Sequence, residues 1–207
     1  MGVDKWRLRA AVRKYPDLNC VVEDSRLVVK GSIKIVDDVS YDVHITFPEE
    51  YPYAFPIVRE VSNKIPKDAD RHVYTDGSLC LAVKPQEVIL CKRGLSFETF
   101  IEKVLTPHLA REYVRDVTGA YPQGEYSHGS AGILEYFQER AGITEPNKIL
   151  QLIEIALDGT IVGMYDPCIC GSERKFKFCH HQVCLEFREM GKVHLKGFRD
   201  AIANIKR

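Results

Sequence analysis

The chain has 207 residues with 29 Lys and Arg balanced by 29 Asp and Glu, 45% hydrophobic and 28% charged residues. That is the composition of a globular domain with an appendage, and a net charge of zero gives no global pull toward nucleic acid or an anionic membrane. No apolar run approaches the roughly 20 residues that span a bilayer, and the charged N-terminus MGVDKWRLRAAVRKYP lacks the apolar stretch of a signal peptide, so a cytosolic protein is expected.

In chain order, residues 4–15 predict a helix with Trp6, Ala10 and Ala11 near one face, stopped by Pro16. RLVVKGSIKI (26–35) and YDVHITF (41–47) are rich in β-branched and aromatic residues and flank a DDVS turn, so they predict a hairpin. A third strand, IVREV (57–61), follows PEEYPYAFP. Residues 62–96 carry mostly loop signals, including Pro66, Gly77, Pro85 and Gly94. Ser96 is an N-cap candidate, and Phe97, Phe100, Ile101, Val104 and Leu105 make the stripe of a core-facing helix. Pro107 is expected to kink or end its first part. Residues 121–132 predict a loop, ILEYFQERA a helix, and Ile149, Leu152, Ile153, Ala156 and Leu157 another helical stripe, closed by Gly159. Leu195, Phe198, Ile202 and Ile205 share a face of a last helix. This order predicts an α+β fold, an antiparallel sheet with helices packed against it.

The seven cysteines are unevenly placed: Cys168, Cys170, Cys179 and Cys184 cluster, whereas Cys20, Cys80 and Cys91 are isolated. In a reducing compartment clustered cysteines point to metal and isolated ones to core or catalysis. Cys20 and Cys91 read as core or incidental positions. Cys80 follows a turn, Asp76-Gly77-Ser78-Leu79, and is flanked by Leu79 and Leu81. Two readings compete: a small buried thiol, the common fate of a free cysteine, or a nucleophile lifted out of the body while the leucines pack inward.

Phe47, Pro48, Tyr51, Pro52, Pro56 and Val58, followed by Gly77, Leu79, Cys80 and Leu81, and preceded by Gly31 and Ile33, resemble the spaced motifs of ubiquitin-conjugating enzymes. The similarity spans about residues 3 to 141. It implies the ubiquitin-conjugating fold, an antiparallel meander sheet with flanking helices, in a catalytic domain over residues 1–143. It also implies a thioester of a protein's C-terminal glycine on Cys80, passed on to an amine. The expected partners are an adenylating activating enzyme or a pre-activated tail, and a modifier or target protein ending in glycine. Bacterial members of this group occur in antiphage defence operons of the CBASS type, where some modify a cyclic-nucleotide synthase. The family's His-Pro-Asn triplet is absent. Its oxyanion-stabilising Asn falls on His72, which is either a replacement donor or a loop residue packing on Tyr74. Gly77 and Ser78, together with His128, are the expected contacts to the incoming tail, although His128 also fits a purely structural place in its loop. Glu112 and Asp116 lie nearest by spacing to the acidic residue the family uses to activate a lysine. The rival function is an inactive binding module of the same fold.

Residues 144–207 are expected to form a separate module. DPCICGSERKFKFCHH (166–181) places Cys168, Cys170, Cys179 and His180 in C-x-C-x8-C-H spacing. Four N and S donors with no open position describe structural zinc. The stretch resembles the SEC-C motif, with Ile169 and Glu173 replacing its usual proline and second glycine. His181 and Cys184 remain alternatives to His180 as the last ligand. Arg174, Lys175 and Lys177 form a basic patch around it.

Overall fold

The computed structural model describes residues 5–121 and 126–206. The chain divides into two compact units, one formed by Met1–Ala82 and Arg93–Gly124, the other by Val83–Lys92 and Glu125–Arg207.

In the first unit, β1 (Leu18–Glu23), β2 (Arg26–Val36), β3 (Val39–Thr46) and β4 (Ile57–Glu60) form an antiparallel sheet in the order β1-β2-β3-β4. Its register aligns Cys20, Val29, Ile45 and Val58 in one row. Val29, Ile45 and Val58 are buried there, and Cys20 is half-buried because it stands on the edge strand. The expected core position of Cys20 is thus corrected. Strand β1 itself was not legible, since LNCVVE is short and its pattern is broken by Asn19. Gly31 has φ +143°, and a Cβ there would fall 1.9 Å from the Asp17 carbonyl oxygen, so only glycine admits this approach of backbone.

Helix α1 (Lys5–Val12) packs on β1, and the prolines at 48, 52 and 56 hold an irregular loop between β3 and β4. Phe47 packs edge-on against Tyr51 with ring centroids 4.9 Å apart, and the Leu95 amide donates to the Pro52 carbonyl at 2.7 Å. Ser96 does cap the next helix: its Oγ accepts from the Thr99 amide at 3.1 Å. Helix α3 (Phe97–Phe100) then runs through a wider π turn, Ile101–Leu105, into α4 (Thr106–Thr118). The Thr106 amide bonds to the Ile101 carbonyl, five residues back, just ahead of Pro107. Pro107 does not end the helix; it stands in the first turn of α4, where its missing N–H is tolerated.

In the second unit, α2 (Lys84–Lys92) falls where a loop was expected. Pro85 stands in the first turn of this helix, where proline is permitted. Helices α5 (Gly129–Ala141), α6 (Pro146–Leu157), α7 (His181–Glu189) and α8 (Lys192–Ala203) share one apolar core built on Phe137, Ile149, Leu152, Ile153, Phe187 and Phe198. Phe137 and Phe187 meet edge-on at 4.7 Å. The expected boundary at 143/144 therefore moves: α5 belongs to the second unit because Phe137 is fully buried in that unit's core. Helix α6 closes at Asp158 and not at Gly159; the Asp158 carboxylate accepts from the Thr160 amide at 3.0 Å. Ile205, placed on the buried face of the last helix by its spacing, is 42% exposed beyond the end of α8. No helix among the described residues is long and apolar enough to cross a membrane.

Candidate functional sites: a zinc centre and a cysteine hairpin

The strongest site is the cysteine cluster. Pro167 pairs with Lys175 across a short loop, and the Cys168 amide donates to the Arg174 carbonyl at 2.8 Å. Gly171, at φ +86°, turns the chain after Cys170, so two thiols close together on one knuckle. The one-turn helix Phe176–Phe178 returns Cys179 and His180 to the same point. One ligand atom from each of Cys168, Cys170, Cys179 and His180 lies within 4.8 Å of every other. His180 Nδ1 is 3.3 Å from Cys168 Sγ and 3.2 Å from Cys179 Sγ, and Cys170 and Cys179 sulfurs are 3.6 Å apart.

The ring orientation of His180 fits a metal. Its Nε2 lies 2.8 Å from the Ala141 carbonyl oxygen, which can only accept, so Nε2 carries the proton and Nδ1 is left with its lone pair toward the thiols. Burial raises the Cys168 thiol to about 11. Burial also opposes ionisation of Cys170, but the Ser172 hydroxyl and amide, together with the neighbouring thiols, outweigh it and bring that thiol down to about 6. Ser172 Oγ stands 3.1 Å from Cys170 Sγ. The alternatives for the last ligand are decided by packing. Cys184 is buried in the apolar core with its thiol toward the Leu152 carbonyl at 3.6 Å, and His181 packs edge-on against Phe176. Three thiolates and one imidazole make a closed zinc site, structural because the protein fills all four positions. The zinc segment is built into the second unit: Cys168 and Phe176 are part of the apolar core shared by α5–α8.

Cys80 stands at the base of a small hairpin in the first unit. Val73 pairs with Leu79, and the Gly77 amide closes a turn on the Tyr74 carbonyl at 2.8 Å. Gly77 takes φ +80°. The Asp76 carboxylate accepts from the Ser78 amide at 3.0 Å and from its hydroxyl at 2.6 Å, and Arg59 Nη2 reaches the same carboxylate at 2.9 Å. Ser78 is thereby buried within the turn. The Leu79 amide hooks the hairpin onto β4 through the Val58 carbonyl at 2.8 Å. Leu79 and Leu81 are buried, and Cys80 between them is half-exposed. The Tyr74 hydroxyl donates to Cys80 Sγ at 3.2 Å.

His72 meets Cys80 through its backbone: its carbonyl accepts from the Cys80 amide at 2.6 Å. Its ring packs edge-on against Tyr121 and His108, with centroids 5.9 and 6.2 Å away. His108 is buried with an unpartnered Nε2. Burial, then the charges of Arg111 and His72, lower its pKa to about 3, so it is neutral in the fold. Arg71 donates to Glu112 at 2.8 Å and to Asp116 at 2.6 Å, and Tyr121 hydrogen-bonds the other oxygen of Glu112. The two acidic residues nearest by spacing to a lysine-activating role are thus committed to Arg71. His128 precedes the first turn of α5 in the second unit and is exposed. Tyr74 and the Arg71–Glu112 pair were missed in the sequence. The signal for Tyr74 was the hairpin register about Asp76-Gly77; Glu112 stood out by spacing for a different role, and nothing marked it as the partner of Arg71, 41 residues away.

The model of the SEC-C motif matches residues 166–182. The protein translocase subunit SecA of Xanthomonas oryzae pv. oryzae (strain PXO99A) is 34% identical over 59 residues, which are 28% of this chain and 6% of that protein. The chain therefore spans a small fraction of the length of the curated relative it matches. No solved structure matches the chain.

Proposed function

We propose that the first unit is a ubiquitin-conjugating-like acyl transferase with Cys80 as its nucleophile, carried on the same chain as a zinc-stabilised second unit. The carrying observation is the placement of Cys80, half-exposed between two buried leucines with a hydroxyl on its sulfur. The four-stranded meander and the proline-framed loop between β3 and β4 accord with the same fold. Cys80 Sγ attacks the carbonyl carbon of an activated C-terminal glycine. An S–C bond forms, and the bond from that carbon to adenylate oxygen or to a donor cysteine breaks; the thiol proton leaves to solvent. An amine nitrogen then attacks the thioester carbon, the S–C bond breaks, the thiolate departs and the amine gives up its proton. The donor is an adenylating enzyme or a tail already activated, and the acceptor belongs to a partner protein in a bacterial antiphage system of the CBASS type, with a cyclic-nucleotide synthase as one candidate.

A peptide thioester ending in Gly-Gly tests the reading. The protein should acquire a reductant-cleavable adduct on Cys80 and pass it to an added amine faster than does a free peptide covering residues 74–86. Cys80→Ser should give a reductant-resistant ester and Cys80→Ala no adduct. Transfer no faster than from the free peptide would leave the binding-module reading, which the missing His-Pro-Asn triplet and the inward packing of the His72 ring favour.

A further inference from the structure

We infer that Tyr74 is a catalytic residue of the cysteine site, donating its phenol hydrogen bond first to the Cys80 thiolate and then to the oxyanion of the acyl intermediate. The inference rests on the transferase reading. Three features place the phenol. Tyr74 closes the turn through its carbonyl, bonded to the Gly77 amide at 2.8 Å, and its own amide donates to the Ser78 carbonyl at 2.8 Å, so its backbone is tied on both sides. Its hydroxyl is 3.2 Å from Cys80 Sγ. Its neighbours on the hairpin do not offer the same donor: the Ser78 hydroxyl is bound to Asp76, Asp76 is also held by Arg59, and the ring of His72 packs with Tyr121 and His108.

A donor on sulfur favours the charged, nucleophilic form of the thiol over the neutral one. When Sγ has added to a carbonyl carbon, the oxyanion lies two bonds from the sulfur, within the swing of the same phenol. The proton stays on the tyrosine throughout; the hydrogen bond alone moves from sulfur to oxygen. This is the work for which His72 is the candidate by spacing, done instead from two residues further along the hairpin.

The test uses the full-length zinc-loaded protein and its Tyr74→Phe variant, which keeps the ring at a 56% exposed position and removes only the hydroxyl. Iodoacetamide alkylation of the Cys80 peptide at pH 7 is followed by mass spectrometry, and transfer from the Gly-Gly thioester is measured alongside. Loss of the donor should slow alkylation by about threefold to tenfold, the worth of one hydrogen bond, and should slow transfer by at least as much. His72→Ala should leave the alkylation rate in place. Unchanged alkylation and transfer rates in folded Tyr74→Phe would overturn the inference. Alkylation needs no transfer, so slower alkylation without any Cys80-dependent transfer would sustain the Tyr74–sulfur hydrogen bond while removing the transferase reading and the oxyanion role with it.

Discussion

The Arg71 guanidinium donates through Nε to Glu112 Oε2 at 2.8 Å, with the glutamate side chain only 1% exposed. This ion pair ties the short turn Ala69–Arg71 to helix α4, and the next residue, His72 at φ +51°, is the one whose carbonyl takes the Cys80 amide. A buried charge is tolerable only with its partner in place. Glu112→Ala should therefore destabilise the first unit by about 3 kcal/mol, because Arg71 keeps only the half-exposed Asp116. Asp116→Asn should cost under about 1 kcal/mol. Urea unfolding of the two variants checks the order; equal effects would show that Glu112 is not the anchor.

His108 gives the first unit a pH dependence of known sign. Its pKa is about 3 in the fold, lowered first by burial, against an ordinary value of 6.5. Between those values the unfolded chain binds the proton and the folded one does not. The stability is whole above about pH 6.5 and falls as pH drops toward 3, by about 1.4 kcal/mol per unit. Measured between pH 7 and pH 5, before most carboxylates titrate, that slope should be present in the native protein and flattened in His108→Leu. A slope that survives the substitution would assign it to other groups.

One zinc per chain should be found in protein purified under reducing conditions. Cys168→Ser with Cys170→Ser should remove it, as should His180→Ala, whereas His181→Ala should retain it. Because Cys168 and Phe176 sit in the core of α5–α8, metal loss should lower the thermal midpoint of the whole second unit and not merely loosen a tail. Elemental analysis and calorimetry read both effects; a second unit that melts unchanged without zinc would contradict that coupling.

Thiol reactivity should separate the cysteines by burial. Cys91 and Cys184 are buried, which pushes their thiols up to about 11 and about 12. In the zinc-loaded native protein at pH 8, Cys80 should be alkylated at least tenfold faster than either. Cys20 is the intermediate case, half-buried at the sheet edge with a thiol raised by burial. Equal labelling of Cys80 and Cys91 would place Cys80 in the core after all.

Local chemistry made much of this protein legible in its sequence. The C-x-C-x8-C-H spacing determined the zinc site because a tetrahedral ion demands four donors within reach, and a knuckle with Gly171 meets that demand over a short stretch. The strands β2 to β4 followed from their β-branched and aromatic residues, the Ser96 cap from a hydroxyl placed ahead of an apolar run, and the stripes of α3 and α6 from a period of 3.6 residues. What lay beyond was decided by residues distant in the chain. Helix α2 was hidden by Pro85, whose effect depends on its place within a helix, and α5 joined the second unit because of what Phe137 packs against. His180 prevailed over His181 and Cys184 through the Ala141 carbonyl, 39 residues away. Glu112 became a brace through Arg71, and His72 turned its ring toward Tyr121 and His108. In each case a side chain's identity was plain, but its role was set by a partner that only folding brings near: burial and hydrogen-bond satisfaction belong to the packed whole.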